Sequence, residues 1–216
     1  MDIKVKIGYG GVLGAYKPKS GRNKIFDYLW TYQVDNIDAS TRSAYFLFQA
    51  ISNLSKRGEL TSGDLMINLW GKIDSYYLKL AESLGIQHYV KIEGFCSKEE
   101  SYKRLQQCDL AFLPLESSFN GQKPLFIPGK LYEYLKFGKP ILAMTEESDC
   151  KNILVSSGLG LCVAPKEIEG IERIIKELVA DKSRVLKKYL PNKDYITNFA
   201  FENKTKELAK VFDDLI

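Results

Sequence analysis

Between Ile127 and Met144 the chain reads I-P-G-K-L-Y-E-Y-L-K-F-G-K-P-I-L-A-M. Pro128 stands close to the start of a segment with helical periodicity, where a missing N–H costs nothing. Gly138 follows the last periodic residue, the place for a left-handed residue that closes a helix. The pattern predicts a helix over Lys130 to Phe137 that passes directly into an apolar strand, Pro140 to Met144. A helix feeding such a strand is half of a βαβ unit. Its N-terminus points unpaired N–H groups toward the ligand side of a parallel sheet, an anion site by geometry and dipole. Lys130 could add a point charge for a phosphate there. Glu133 could accept hydrogen bonds from two vicinal ribose hydroxyls, as carboxylates in nucleotide folds do. Taken alone, the two residues could equally be an exposed helical pair, contributing a few tenths (~0.2–0.5) of a kcal/mol.

Working outward, short β-branched or aromatic runs alternate with longer segments of helical period. The expected strands are Lys4 to Tyr9, Asp64 to Trp70, Tyr89 to Glu93, Leu110 to Pro114, Pro140 to Met144 and Gly160 to Val163. The expected helices are Arg42 to Lys56, Ser75 to Leu84, Lys98 to Gln107, Lys130 to Phe137, Cys150 to Ser156 and Ile168 to Val179. Ser97 precedes Glu100 at capping-box spacing, and Gly85, Gly138 and Gly158 sit where helices should end. The alternation predicts an α/β fold: a Rossmann-like, doubly wound parallel sheet of about six strands flanked by helices. A last amphipathic helix, Phe199 to Leu215, falls outside it. One connection is too long for a compact βα loop of ~2–6 residues: Gly14 to Ser40, basic at first and then aromatic. It reads as a lid or phosphate-contacting loop, or as an insertion with a solvated basic face.

The stretch G-Y-G-G-V-L-G, Gly8 to Gly14, puts glycines at the carboxyl end of the first strand, where backbone N–H groups can approach a phosphate with no Cβ in the way. The third glycine falls one residue late for G-x-G-x-x-G, and no acidic residue closes the second strand at Trp70-Gly71, so a dinucleotide site is disfavoured. A tight turn leaving the strand is the alternative to that phosphate-approach reading.

Composition narrows the class. At 216 residues, 45% hydrophobic and 27% charged, the chain is expected to fold as one domain with a full core. A net charge of +4 from 31 basic and 27 acidic residues is too mild and mixed to call for nucleic acid; it suits an anionic small ligand or an anionic membrane surface. Cys96, Cys108, Cys150 and Cys162 have no C-x-x-C spacing, and the single histidine, His88, reads as a packed or edge-strand residue. No metal and no cofactor is therefore expected. The start lacks the apolar core of a secretory signal and no run approaches the ~18 apolar residues of a membrane span, which predicts a soluble, cytoplasmic protein.

At this point the residues resemble the donor-binding, C-terminal domain of GT-B glycosyltransferases, especially glycosyltransferase family 4. P-G-K-L-Y-E-Y-L-K-F-G-K-P-I-L-A is similar to that family's nucleotide-binding helix and following strand. I-G-Y-G-G-V-L-G resembles its first strand and glycine loop, and R-S-A-Y-F-L-F-Q-A-I its first helix. V-K-I-E-G-F-C-S-K-E-E resembles its base-binding strand and turn, and C-D-L-A-F-L-P-L the strand before the signature helix. The blocks follow family order across nearly the whole chain.

The resemblance implies that Glu133 is the ribose-binding second glutamate of an E-x(7)-E motif, whose first position falls at Leu125 and is not acidic. It makes Arg42 the leading candidate for the donor diphosphate, beside Lys130, Gly129, Leu131, Gly10 and Gly11, with Arg22 or Lys24 of the long loop standing in for a companion arginine. Gly94, Phe95 and Cys96 would hold the base, largely through backbone groups. It further implies sugar transfer from a nucleoside-diphosphate sugar, with retention, in bacterial cell-surface polysaccharide or lipopolysaccharide synthesis. The glycan or lipid-linked acceptor would be bound by an N-terminal domain absent from these residues, with the final helix packing toward that domain. Without it the domain is expected to be inactive. Peripheral contact with the inner membrane face fits the basic stretch Lys17 to Lys24. Two alternatives stay open: another GT-B nucleotide-sugar enzyme of the epimerase type, and a non-catalytic nucleotide-binding module.

Overall fold

A computed structural model of the chain describes residues 3–16, 37–118 and 123–214. All six expected strands form, as β1 (Val5–Leu13), β3 (Leu65–Ile73), β4 (Val90–Glu93), β5 (Leu110–Pro114), β7 (Ile141–Met144) and β8 (Gly160–Val163). They make one parallel sheet in the order β4-β3-β1-β5-β7-β8. Counted along that sheet's own six strands the order is 3-2-1-4-5-6, the doubly wound arrangement whose direction of winding reverses between β1 and β5. A second, two-stranded ladder was not foreseen. It pairs β2 (Ile37–Asp38) antiparallel with β6 (Ser117–Ser118).

The helices are α1 (Tyr45–Lys56), α2 (Tyr76–Ser83), α3 (Lys98–Gln106), α4 (Gly129–Phe137), α5 (Asp149–Ser156) and α6 (Ile168–Ala180), followed by α7 (Lys182–Leu186), α8 (Lys193–Thr197) and α9 (Phe201–Asp213). Ser97 caps α3 by accepting the Glu100 N–H at 3.2 Å, as the spacing predicts. Gly85, Gly138 and Gly158 adopt φ of +70°, +63° and +73° behind α2, α4 and α5.

Strand alternation divides the core into two layers. Leu110 and Phe112 of β5, with Val5, Ile7 and Tyr9 of β1, face α1, α2 and α6. Ala111 and Leu113, with Ile141 and Ala143 of β7, face α3, α4 and α5. α6 and α4 each bury one stripe: Ile171, Ile175 and Leu178 of α6, and Leu131, Tyr134 and Leu135 of α4. Burying each such large side chain stabilises the fold by about 1.5–3 kcal/mol before entropy is counted. Glu172, on the buried face of α6, accepts from Asn53 at 2.8 Å and Arg57 at 2.7 Å and so fixes α6 to α1.

Three expectations need correction. The first strand does not leave the sheet at Tyr9: β1 stays paired with β3 as far as Leu13↔Ile73, so Gly10 and Gly11 are strand residues, not a turn. The cause is a matched pair of glycines. Gly11 (φ +147°) lies opposite Gly71 (φ +106°), and a Cβ on Gly71 would sit 2.4 Å from the Gly11 carbonyl oxygen. Without side chains the two backbones keep their pairing through a conformation other residues rarely adopt. Arg42 does not begin a helix: it ends the 3-10 turn Ala39–Thr41, and α1 starts at Tyr45. His88 is exposed on the 3-10 turn Gln87–Tyr89, its ring 4.0 Å from Tyr89, rather than lying in a strand.

Candidate functional site

Parallel sheets of this order bind ligands beyond the carboxyl ends of the strands, where the winding reverses. A cavity of about 290 Å³ lies there. One wall is Gly10 and Gly11 of β1 with Trp70 and Gly71 of β3. A second is the turn after β4, Phe95 to Lys98, running into Ser101 and Tyr102 of α3. The third is Lys130, Glu133, Tyr134 and Phe137 of α4. Trp70 is almost fully buried, with its Nε1–H donating to Ser101 Oγ at 2.7 Å. A Cβ on residue 10 would fall 2.2 Å from that Nε1, so the indole lies where it does because Gly10 has no side chain.

Lys130 reaches from the first turn of α4 back across the strand. Its ammonium donates to the Gly10 carbonyl and stands 5.2 Å from the Tyr9 ring centre and 5.7 Å from that of Tyr134. A Cβ on Gly11 would come within 2.7 Å of Nζ. Burial lowers the Lys130 pKa; the Glu133 carboxylate opposes the shift, and the nearby positive charge of Arg42 adds to it. Burial likewise pushes the Tyr9 phenol up to about 12, against the pull of Arg42. Lys130 thus stands over the strand glycines next to the N-terminus of α4, and a second cation from a distant part of the sequence, Arg42, is close enough for its charge to act on it. Phosphate oxygens are the ligand chemistry such a place suits.

Arg42 is 40% exposed; its Nη1 lies 3.7 Å from Glu116 Oε1, and its guanidinium 5.6 Å from the Phe126 ring centre. Glu133, 44% exposed, faces Lys98 Nζ at 4.0 Å across the cavity mouth. Lys98 in turn stands 5.5 Å from the Tyr102 ring centre, and Tyr102 meets Phe137 edge to face at 4.9 Å. Phe95 is 89% exposed on the rim, a flat apolar face with no covering. The Gly94 carbonyl accepts the Gly71 N–H at 3.2 Å, which ties the turn after β4 to the end of β3.

Of the expected binding residues, Gly10, Gly11, Phe95, Cys96, Lys130 and Glu133 line this one cavity. Gly94 borders it through its bond to Gly71, and Arg42 lies close enough for its charge to act on Lys130 and Tyr9. Gly129 is exposed at the head of α4 with open space around its Cα. Leu131 is elsewhere: its side chain is fully buried in the core between α4 and the sheet, and its N–H donates to the Pro128 carbonyl at 2.9 Å. Helical periodicity places it on the same buried stripe as Tyr134 and Leu135. Arg22, Lys24 and the stretch Lys17 to Lys24 lie outside the described residues. Trp70, Ser101, Tyr102 and Phe137 were not anticipated, whereas Glu116 opens the loop Glu116 to Leu125 that the family resemblance sets beside the sugar. No local pattern in the sequence marks Tyr102 and Phe137 as one wall. Among the described residues no cluster of three or more His, Cys, Asp or Glu could hold a metal ion, and no helix is long and apolar enough to cross a membrane.

Comparison with known proteins agrees with this geometry. The family model described as "Glycosyl transferases group 1" matches residues 46–195. Solved structures with this fold include HepE of Anabaena in complex with UDP, with a TM-score of 0.64 at 13% identity over 99% of this chain and 49% of that one. A TarM variant of S. aureus, in complex with Fondaparinux, alpha-GlcNAc-glycerol and UDP, gives 0.62 at 13% identity over 98% and 36%. A glycosyltransferase of Rickettsia africae gives 0.63 at 13% identity over 99% and 48%. The chain spans half or less of each of these proteins. A search of curated proteins returned no match. With more than half its length matched by the family model and its six-stranded sheet shared with GT-B glycosyltransferases, the chain belongs to the glycosyl transferases group 1 family.

Proposed function

We propose that the chain is the donor-binding domain of a glycosyltransferase that moves a sugar from a nucleoside-diphosphate sugar to a glycan or lipid-linked acceptor. The observation that carries this reading is the convergence of Lys130, Glu133, Gly10, Gly11, Phe95 and Cys96 on one cavity, with the charge of Arg42 close enough to act on Lys130 in the first turn of α4. In this reading Glu133 accepts hydrogen bonds from the ribose, and the turn Gly94 to Cys96 holds the base. Lys130, Arg42 and the first N–H groups of α4 bind the diphosphate. Gly129 fits at that helix end because its open surroundings let a phosphate approach the backbone. The leaving group is the nucleoside diphosphate. Fixed cations and N–H donors stabilise the charge that grows on it as the glycosidic bond breaks, and neither a side-chain nucleophile nor a metal is required.

The acceptor is bound by a second α/β domain against which α9 packs. Phe201, Leu208, Val211 and Phe212 of α9 are exposed, an apolar face suited to that contact. Retention of anomeric configuration, a cytoplasmic site at the inner membrane face and a role in bacterial surface polysaccharide or lipopolysaccharide synthesis complete the reading.

The test is a thermal-shift and calorimetric panel of UDP, GDP, ADP and their sugar conjugates. A ligand at about 100 times its Kd stabilises the native state by about 2.7 kcal/mol. For a chain of this size that raises Tm by roughly 5–10 °C. One nucleoside diphosphate should do this, and Glu133→Ala should stay folded while losing most of the shift. No binding by any member at millimolar concentration would overturn the proposal.

A further inference from the structure

The backbone that carries Arg42 is held by contacts that do not involve its charge. Thr41 is fully buried; its hydroxyl lies 2.8 Å from the Asp38 carbonyl and 3.0 Å from that of Leu115, and accepts the Ser117 N–H at 2.8 Å. The ladder Ile37↔Ser118 and Asp38↔Ser117 joins the same two segments. The guanidinium also has the Phe126 ring as a support. Against this fixed frame the contact with Glu116 is loose: 3.7 Å is beyond a direct hydrogen bond, so charge alone holds the pair. Glu116 is nevertheless largely covered, its side chain 19% exposed. A carboxylate at that position is poorly placed to hold the arginine in a fork, yet it faces a cation whose charge also acts on Lys130.

The geometry points to Glu116 as an anionic placeholder: it balances Arg42 while the site is empty, and an incoming diphosphate must displace it. This inference rests on the donor-site reading above. Because the backbones carrying both residues are sewn together, exchange takes place by side-chain rotation and not by opening a loop. The consequence is selectivity for charge. A ligand with one weakly charged phosphate gains little by replacing a carboxylate, whereas a diphosphate brings more charge than it displaces. Glu116 therefore lowers affinity for every anion at Arg42, and removing its charge should raise affinity. For the Arg42–Glu116 pair, 3.7 Å apart, under an effective dielectric of about 80, the attraction the ligand must replace corresponds to about three- to tenfold in Kd.

The experiment is calorimetry on wild type, E116Q, R42A and the E116Q/R42A double variant, with the nucleoside diphosphate that wild type binds and with its parent nucleoside. E116Q should bind the diphosphate about three- to tenfold more tightly and the nucleoside unchanged, with the gain shrinking as salt is raised. In the R42A background the same substitution should have a smaller effect, because there is no Arg42 left to release. Weaker or unchanged diphosphate binding by E116Q would overturn the placeholder role and leave the donor site intact. A wild type that binds no diphosphate would overturn both. A nucleoside effect equal to the diphosphate effect would show that Glu116 acts through packing, and that also ends the proposal.

Discussion

Replacing Gly71 with alanine tests the account of how β1 carries its glycines to the site. At φ +106° a side chain costs of order 1–3 kcal/mol in backbone strain. The new Cβ would also lie 2.4 Å from the Gly11 carbonyl oxygen and 3.0 Å from the Gly11 nitrogen. Both obstacles are backbone atoms of the paired strand, so no rotamer change relieves them and β1 must part from β3. Overpacking of that kind adds about 1–3 kcal/mol. A total of about 2–6 kcal/mol is a large share of the ~5–15 kcal/mol that holds a domain together. It corresponds to a Tm roughly 4–24 °C lower. Gly94→Ala is the matched control: no heavy atom lies within 4 Å of its Cβ position and its φ is not positive, so its stability should stay within about 0.5 kcal/mol of wild type. Urea unfolding of both variants measures the difference. A Gly71→Ala protein as stable as Gly94→Ala would refute the claim that the Gly11–Gly71 pairing demands glycine.

Three further outcomes follow from the same contacts. Burial lowers the Lys130 pKa, so the charged lysine costs stability below that lowered value, and the cost disappears as pH rises from it toward the ordinary lysine range. A bound diphosphate favours the charged form; affinity should therefore begin to fall at a lower pH than an ordinary lysine would give, with proton uptake seen by calorimetry in two buffers, and Lys130→Met should flatten the profile. Burial pushes the thiols of Cys108, Cys150 and Cys162 up to about 11, 12 and 11, whereas Cys96 lines the cavity. Disulfide-exchange labelling at pH 8 should modify Cys96 first, and a bound nucleoside diphosphate should protect it; rapid labelling that persists in Cys96→Ser would contradict this. No residue of α9 is buried, so replacing Phe201, Val211 and Phe212 with serine should leave Tm within about 2 °C while lowering self-association in sedimentation; a large drop in Tm would mean that α9 holds the fold.

Much of the architecture was legible because it is written locally. Short continuous apolar runs such as Leu110 to Pro114, buried at every position, and glycine stops such as Gly138 mark strands and helix ends within a few residues. What stayed hidden depends on partners far along the chain. Gly10 and Gly11 read as a turn because nothing nearby reveals that Gly71 lies opposite, or that the Trp70 indole needs the space. Leu131 was grouped with Lys130 by adjacency, although a helix turns neighbouring side chains to different faces. Arg42 was recognised as a cation beside the site, but the carboxylate facing it comes from the end of β5, and the β2–β6 ladder joins two-residue strands too short to show any period. Tyr102 and Phe137 form a wall only because α3 and α4 lie side by side on one face of the sheet.

The stitch between Thr41 and the segment Leu115 to Ser117 has a consequence for how such a chain can vary. It clamps the downstream end of the long connection to the body of the sheet, while the other end is already anchored in β1. Lengthening a surface connection adds closure entropy only logarithmically, about 0.6 kcal/mol for each doubling. A change of length between Tyr16 and Ile37 should thus leave the position of Arg42 unchanged. In this respect the protein separates what must be inherited intact from what can be rewritten: a buried threonine hydroxyl marks the boundary between them.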